Sequence, residues 1–234
     1  MKPYIILPTY NEKENLSELV GQIFSLNIPA LHIIIVDDNS PDGTGVIADH
    51  LAQERPEVLV IHRNEKLGLG GAYRTGFQRA LKEGADLFFE MDADFSHDPK
   101  EIPSFIKAIE EGFDVVIGSR RIPDGGIVNW GILRNLMSKG AMWFSRMILG
   151  LKTKDVTSGF RCYTRKVVEA INWDKIKSNG YAFQEETIYF CEKMNFKIKE
   201  IPIIFQDRSR GHSKLSRKEI INFFLTIVRL RFRE

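Results

Sequence analysis

Cysteine is scarce in this chain: Cys162 and Cys191 are the only two among 234 residues. They are too few for a disulfide scaffold and lack the paired spacing of a zinc site, so an apolar core must hold the fold and a reducing compartment is expected. Long apolar runs are also missing. The longest candidate, Ile220–Val228, stops well short of the roughly 18 to 20 residues a membrane span needs, and Arg229, Arg231 and Arg233 follow it. It predicts an amphipathic terminal helix that either packs on its own domain or lies at a membrane interface. No charge sign dominates: the net charge is +2, which gives no general nucleic-acid-binding surface. Repeats and low-complexity tracts are absent, and Gly and Pro are scattered rather than pooled into a linker. Met1 leads almost at once into the apolar run Tyr4-Ile5-Ile6-Leu7, leaving no room for a signal peptide, so a cytoplasmic location is expected.

What the chain does have is 43% hydrophobic and 27% charged residues, ordinary values for one domain with a sizeable core. Short runs rich in Ile and Val alternate with helical patterns through the first half, which predicts an α/β fold with a mainly parallel sheet flanked by helices. The predicted strands are Tyr4–Leu7, Ile33–Val36, Val58–Ile61, Leu87–Met91 and Val115–Ile117. Helix-spaced apolar residues fall at Asn15–Val20 and Ala72–Phe77, and a long helix is predicted over Ile132–Leu149. The polar or Gly-bearing turns after the strands gather at the carboxyl edge of the sheet, where such folds bind ligands.

Asp92 and Asp94 follow the apolar run Leu87-Phe88-Phe89 with only the small Ala93 between them. Strand-like alternation puts both carboxylates on one side, close enough to share a divalent cation that would neutralise a departing diphosphate. Alone, Asp94, Ser96 and Asp98 before Pro99 read sooner as helix-capping residues. Their neighbours argue for the cation. In Leu7-Pro8-Thr9-Tyr10-Asn11-Glu12, Tyr10 can stack on a base and Glu12 can accept from polar groups. In Val36-Asp37-Asp38-Asn39-Ser40-Pro41-Asp42-Gly43, acids again stand at a strand end, beside an ordinary turn. Lys66-Leu67-Gly68-Leu69-Gly70-Gly71 lets backbone approach a ligand, though it matches neither the P-loop nor the dinucleotide glycine pattern.

These motifs, in this order, resemble a family 2 glycosyltransferase of the GT-A fold. The resemblance continues through Gly118-Ser119-Arg120, Trp130 with Arg134 and Ser138, Thr157-Ser158-Gly159-Phe160-Arg161, Gly180-Tyr181-Ala182-Phe183-Gln184 and the segment from Arg208 to Lys214. Together these resemble the polyprenyl-phosphate branch of that family, the dolichol-phosphate mannose synthases, from residue 3 to about residue 216. The resemblance implies a Rossmann-like nucleotide-sugar-binding GT-A domain over 1–215, with a donor half to about 125 and an acceptor half beyond it, then a terminal amphipathic helix over 216–234.

It also implies roles. Pro8, Tyr10, Glu12, Val36 and Asp38 would line the nucleotide pocket. Asp92, Ala93 and Asp94 match the metal and diphosphate segment. Arg120, Arg208 and Lys214 match basic positions around the donor phosphates and sugar, and Arg134 with Ser138 matches the acceptor-phosphate site. Asp37 is read as structural. Many relatives read Asp-Ala-Asp-Leu-Gln, where the Gln can add a metal ligand; here Ser96 stands in that place, leaving a third ligand open. The implied reaction is inverting transfer of mannose from GDP-mannose to the phosphate of dolichol or another polyprenol, with Mg²⁺ or Mn²⁺.

The basic residues suit that acceptor. A phosphomonoester, with a second pKa of about 6, is already mostly dianionic near neutral pH and needs cations rather than a base. Arg134 and Ser138, four apart on a helix, share one face and can meet one phosphate, although a solvated helix face reads the same way. Arg208, Arg210 and Lys214 around Gly211 read as a mobile loop that can close over a donor, or simply as an exposed basic loop. Glu186 is the rival reading, a base for a hydroxyl acceptor. Trp130, Phe144 and Met147 can shelter the first lipid units or belong to the core. A membrane surface is the expected partner, reached directly or through an anchoring subunit, with no nucleic acid. The competing functions are a UDP-glucose (or other nucleotide-sugar) polyprenyl-phosphate transferase and a catalytically silent nucleotide-sugar-binding subunit.

Overall fold

The structure, a computed structural model, describes residues 1–65, 68–173, 175–176, 178, 181–207 and 217–232, without the side chains of 181 and 217–222. The predicted elements Lys66-Leu67 and the basic positions Arg208, Arg210 and Lys214 lie outside the described residues, as does His212.

The chain alternates strands and helices: β1 (Pro3–Thr9), α1 (Leu16–Ser25), β2 (His32–Asp37), α2 (Thr44–Glu54), β3 (Val58–His62), α3 (Leu69–Lys82), β4 (Leu87–Glu90), α4 (Ile102–Glu110) and β5 (Val115–Ser119). Then follow β6 (Gly126–Val128), α5 (Ile132–Leu149), β7 (Arg161–Thr164), α6 (Arg165–Ala170), α7 (Tyr181–Lys193), β8 (Ile198–Pro202), β9 (Ile204–Gln206) and α8 (Arg217–Arg231). One sheet of seven strands runs β3-β2-β1-β4-β7-β5-β8, and β6 with β9 makes a small second one. All neighbours in the large sheet pair parallel except β7, which runs antiparallel between β4 and β5.

The central strands are apolar along their whole length because both faces are covered, as parallel sheets require. In β1, Ile6 packs with Phe77, Phe88, Tyr163 and Phe183 on one face, whereas Ile5 and Leu7 pack with Leu16, Ile35, Phe89 and Phe105 on the other. Helix α3 lies tight on β1 because residue 76 is glycine: a Cβ there would stand 2.5 Å from Cγ2 of Ile6. The chain leaves β1 toward β2 on one side and returns to β4 on the other. That reversal puts a topological switch point at the strands' carboxyl ends, where open α/β sheets bind their ligands.

The second half is built differently. Helix α5 buries only Met142, Ser145 and Leu149, while Ile132, Leu133, Leu136 and Met137 of its first turns are exposed. Helix α8 packs on the core through Phe223, Ile227 and Leu230, spaced four and three apart, with Phe224 set edge-on to Phe144 of α5. Its other face leaves Leu225 and Val228 exposed. The terminal helix thus docks on its own domain, the first of the two arrangements its sequence allowed, and keeps an apolar strip outside. Among the described residues, no helix is long and apolar enough to cross a membrane.

Candidate active site

Pro8 and Val36 are register partners on β1 and β2, and the Asp38 N–H donates to the Thr9 carbonyl at 3.0 Å, so these nucleotide-pocket candidates share one rim. Asn11, at φ 62, turns the chain sharply after Tyr10, and the N–H groups of Asn11 and Glu12 then donate to the hydroxyls of Ser40 (3.0 Å) and Thr44 (2.9 Å). The two turns are thereby stitched together. Asp37 is the clasp: its carboxylate accepts from the hydroxyls of Thr9 and Ser40 and from the Ser40 N–H. Asp38 instead faces Arg63 at 3.0 Å, each side chain only 8% exposed. Sequence reading assigned Arg63 no role; its place at the end of β3, on the same edge, was the available signal.

Asp92 and Asp94 follow β4 in a tight turn. The Ser96 N–H donates to Asp94 Oδ1 at 3.1 Å, and bulky Phe95 adopts φ 60, a conformation side chains of its size rarely hold. The Asp92 N–H donates to Nδ1 of His97 at 3.1 Å, which leaves the proton of a neutral imidazole on Nε2, and the His97 ring stacks on Phe160. From α3, the Tyr73 hydroxyl reaches Asp92 Oδ1 at 3.4 Å, and burial together with the Asp92 charge holds that phenol well above its ordinary pKa. The capping role open to this acidic run falls to Asp98, which accepts from the Lys100 N–H at 2.9 Å. Asp94, Ala93 and Ser96 are buried, and the Ser96 hydroxyl has no hydrogen-bond partner among the described residues.

Beneath these carboxylates lies a cross-strand pair of ionisable residues to which sequence reading gave no role. Glu90 and Arg161 are cross-strand partners on β4 and β7, both fully buried. Arg161 donates to the carbonyls of Ser158 (2.7 Å), Gln184 (2.7 Å) and Val156 (2.8 Å), so one guanidinium ties β7 to a loop and to α7. Burial pushes Glu90 up to about 7, opposed by Arg161, Gln184 and Tyr163. A charge inside an apolar strand, as in Leu87-Phe88-Phe89-Glu90-Met91, was the signal for such a pair. Glu185 is likewise buried, and burial raises it well above the ordinary carboxylate range. Glu186, the rival base, accepts from the N–H and hydroxyl of Ser178.

Arg120, at the end of β5, is engaged within the protein. Its Nε and Nη2 each meet Asp155 at 2.7 Å, its N–H meets the same carboxylate at 2.8 Å, and Nη2 also donates to Thr157. Burial alone would raise Asp155, but Arg120 holds it below its ordinary value. The neighbouring Arg121 reaches α5 instead, donating to Asn135 Oδ1 at 2.7 Å and Ser138 Oγ at 3.2 Å. Burial and the adjacent Arg120 lower its pKa. Arg134 pairs with Asp207 at 2.7 Å and lies 4.1 Å over the Trp130 ring. The structure therefore gathers Arg121, which sequence reading left unassigned, with Ser138 on α5, where Arg134 stands one turn earlier.

The sheet, its topological switch point and the acidic carboxyl edge define a GT-A glycosyltransferase fold. Glucosyl-3-phosphoglycerate synthase from Mycobacterium tuberculosis, solved with uridine diphosphate, shares this fold with a TM-score of 0.70 at 17% identity, over 100% of this chain and 81% of that one. The profile of Glycosyl transferase family 2 matches residues 4–171, and the chain belongs to that family. Its relatives include polyprenol monophosphomannose synthase of Mycolicibacterium smegmatis, 44% identical over 92% of this chain and 82% of that protein. Undecaprenyl-phosphate mannosyltransferase of Micrococcus luteus is 43% identical over 92% and 88%. Dolichol-phosphate mannosyltransferase of Pyrococcus furiosus is 40% identical over 98% of this chain, which spans 64% of that longer protein.

Proposed function

We propose that this chain transfers mannose from GDP-mannose to the phosphate of a polyprenyl lipid, giving polyprenyl-phosphate mannose and GDP with inversion at the anomeric carbon. The observation that carries this reading is the juxtaposition on α5 of a cationic, hydrogen-bonding face with an exposed apolar one. Arg134, Ser138 and the incoming Arg121 suit a phosphate, and Ile132, Leu133, Leu136 and Met137 suit the lipid it is attached to and the membrane that holds it. The relatives at 40 to 44% identity, a mannose synthase and mannosyltransferases named for polyprenyl phosphates, support the sugar and the lipid class.

Pro8, Tyr10, Glu12, Val36 and Asp38 line the nucleotide side of the site, with Arg63 holding Asp38 in place. Asp92 and Asp94 offer hard carboxylate oxygens, a donor set that fits Mg²⁺ or Mn²⁺ bound jointly with diphosphate, and the buried unpartnered Ser96 hydroxyl adds a further oxygen beside them. Such an ion stabilises the negative charge of the departing diphosphate. Arg120, Arg208 and Lys214 are assigned to the donor phosphates and sugar; Arg120, firmly paired with Asp155, acts by shaping the wall of the site unless that pair opens. Arg134 and Ser138 orient the acceptor phosphate, whose oxygen attacks C1 as the bond to GDP breaks. No general base is needed, because the dianionic nucleophile carries no proton to remove. Access to the acceptor is from the cytoplasmic face of a membrane, with α5 and the outer strip of α8 at the interface.

The test is direct. Purified chain, Mg²⁺ or Mn²⁺ and a short polyprenyl phosphate, given labelled GDP-mannose or UDP-glucose, should yield labelled lipid from GDP-mannose. Labelled lipid from UDP-glucose alone, or from neither donor, overturns the reading.

A further inference from the structure

Two groups from the turn after β4 and one from α7 converge over Gly159. A Cβ built on that glycine would lie 3.6 Å from Cε1 of His97, 3.7 Å from Oδ2 of Asp92 and 3.8 Å from Nε2 of Gln184. These are ordinary contact distances, so the missing side chain leaves a gap of about methyl size beside a carboxylate already assigned to the donor. Gln184 is 2% exposed, and among the described residues neither its Oε1 nor its Nε2 makes a hydrogen bond of good geometry. Its amide lies close enough to Glu90 to lower that group's pKa, yet the acceptor oxygen has no donor.

Buried amides are rarely left this way, because a side chain with two donors and two acceptor sites loses them all on leaving water. Nor is Gln184 placed to swing outward. Its carbonyl is gripped by Arg161 at 2.7 Å, in the first turn of α7, and Phe183 beside it is packed between Tyr73 and Trp173. The result is a rigid, desolvated amide next to Asp92, in a cradle floored by glycine.

We propose that Gln184 is a specificity-determining residue that reads hydroxyl groups of the transferred sugar, with Gly159 as the floor of that subsite. The inference rests on the donor assignment above and names the group that recognises the sugar. A hydroxyl both donates and accepts, and the amide of Gln184 with the carboxylate of Asp92 offers both complements across one small gap. The amide atom nearest the gap is the nitrogen, which suits a hydroxyl oxygen and not a cation. A site built to bond a hydroxyl discriminates strongly against a ligand lacking it, since its own buried groups then stay unpaired.

Two variants test this. Gln184→Leu keeps the bulk and removes the amide; Gly159→Ala fills the gap at contact distances the neighbours tolerate. With Mn²⁺ present, dissociation constants are measured by titration calorimetry for GDP and GDP-mannose and, in parallel, for UDP and UDP-glucose. For the sugar nucleotide that the wild-type chain turns over, the affinity relative to its own diphosphate should fall roughly tenfold in each variant, while the diphosphate alone binds as before. With monodeoxy donors, the wild type should lose roughly tenfold or more in kcat/KM for at least one missing hydroxyl, and Gln184→Leu should show no further penalty for that same hydroxyl.

An unchanged ratio in Gln184→Leu overturns the proposal. An equal loss of diphosphate and sugar-nucleotide affinity also overturns it, by making Gln184 a metal or phosphate group. If UDP-glucose rather than GDP-mannose is the donor turned over, the proposed function fails, yet the ratio measured with UDP-glucose still decides Gln184. If no sugar nucleotide binds the wild type, both fall.

Discussion

The carboxyl edge of β1, β2 and β4 and the exposed face of α5 are built on opposite plans. At the edge, acids stand in short turns whose backbone N–H groups are already spoken for by Asp37, Ser40, Thr44 and Asp94, and the side chains are largely buried. On α5, Arg134 is 40% exposed and apolar residues face outward. Under the proposed function, the difference follows from what each region would meet. A diphosphate and its cation demand oxygens held at fixed separation, and rigid turns at the end of a buried sheet provide them without reorganisation. A lipid phosphate arrives attached to a membrane, and a helix with an unburied apolar side can meet that surface while its arginines bind the headgroup.

The sharpest way to break this contrast is at the edge. Asp94→Ala should lower the transfer rate by about 100-fold or more. Transfer retained within tenfold would remove Asp94 from the metal site.

The floor beneath the edge gives the next largest effect. Glu90, ordinarily near 4.5, is pushed up to about 7 by burial, against the opposing pull of Arg161. Its contribution to stability is full below the unfolded value and is lost as pH rises toward 7, because the unfolded chain gives up the proton first. That amounts to about 3 kcal/mol between roughly pH 4.5 and 7.5. Urea unfolding in the presence of a chelator should show this decline in the wild type and a flatter profile in Glu90→Gln. Parallel profiles would mean that the nearby charge of Arg161 keeps Glu90 ionised despite its burial.

On the α5 side, Arg134→Ala should raise the KM for polyprenyl phosphate by about 10-fold to 100-fold, as expected for losing a charge-assisted bond, with GDP affinity unchanged. Equal weakening of donor and acceptor would contradict the division between edge and helix. The smallest effect belongs to the membrane contact: replacing exposed Leu133 by Ser should weaken flotation with anionic vesicles by about tenfold, leaving transfer to a short soluble polyprenyl phosphate intact. Unaltered flotation would move the contact to the outer strip of α8.

Much of the edge was readable in advance. The five predicted strands and the helix over Ile132–Leu149 appear within a few residues of their expected limits, and their turns do share one side of the sheet. Strand β7 escaped because Arg161-Cys162-Tyr163-Thr164 follows a polar stretch, is only four residues long and carries a charge, so no period of two could emerge. Strands β6, β8 and β9 are similarly short and show no clearer period. In the site, Arg121 went unassigned because spacing alone cannot tell which of two adjacent arginines turns inward to Asp155 and which outward to α5.

What the sequence determined by itself was local: apolar runs long enough for strands, helix-spaced faces, and acids placed where strands end. These follow from periodicities of a few residues, which any stretch of chain obeys before it meets another. The tertiary structure alone decided that β7 would insert antiparallel beside β4, pairing Glu90 with Arg161 and bringing Gln184 across to Asp92. Those contacts join residues many tens of positions apart, and no local pattern encodes them. They exist because a polar group buried with the sheet must take its partners from whatever the packing brings, as Arg161 does with three backbone carbonyls.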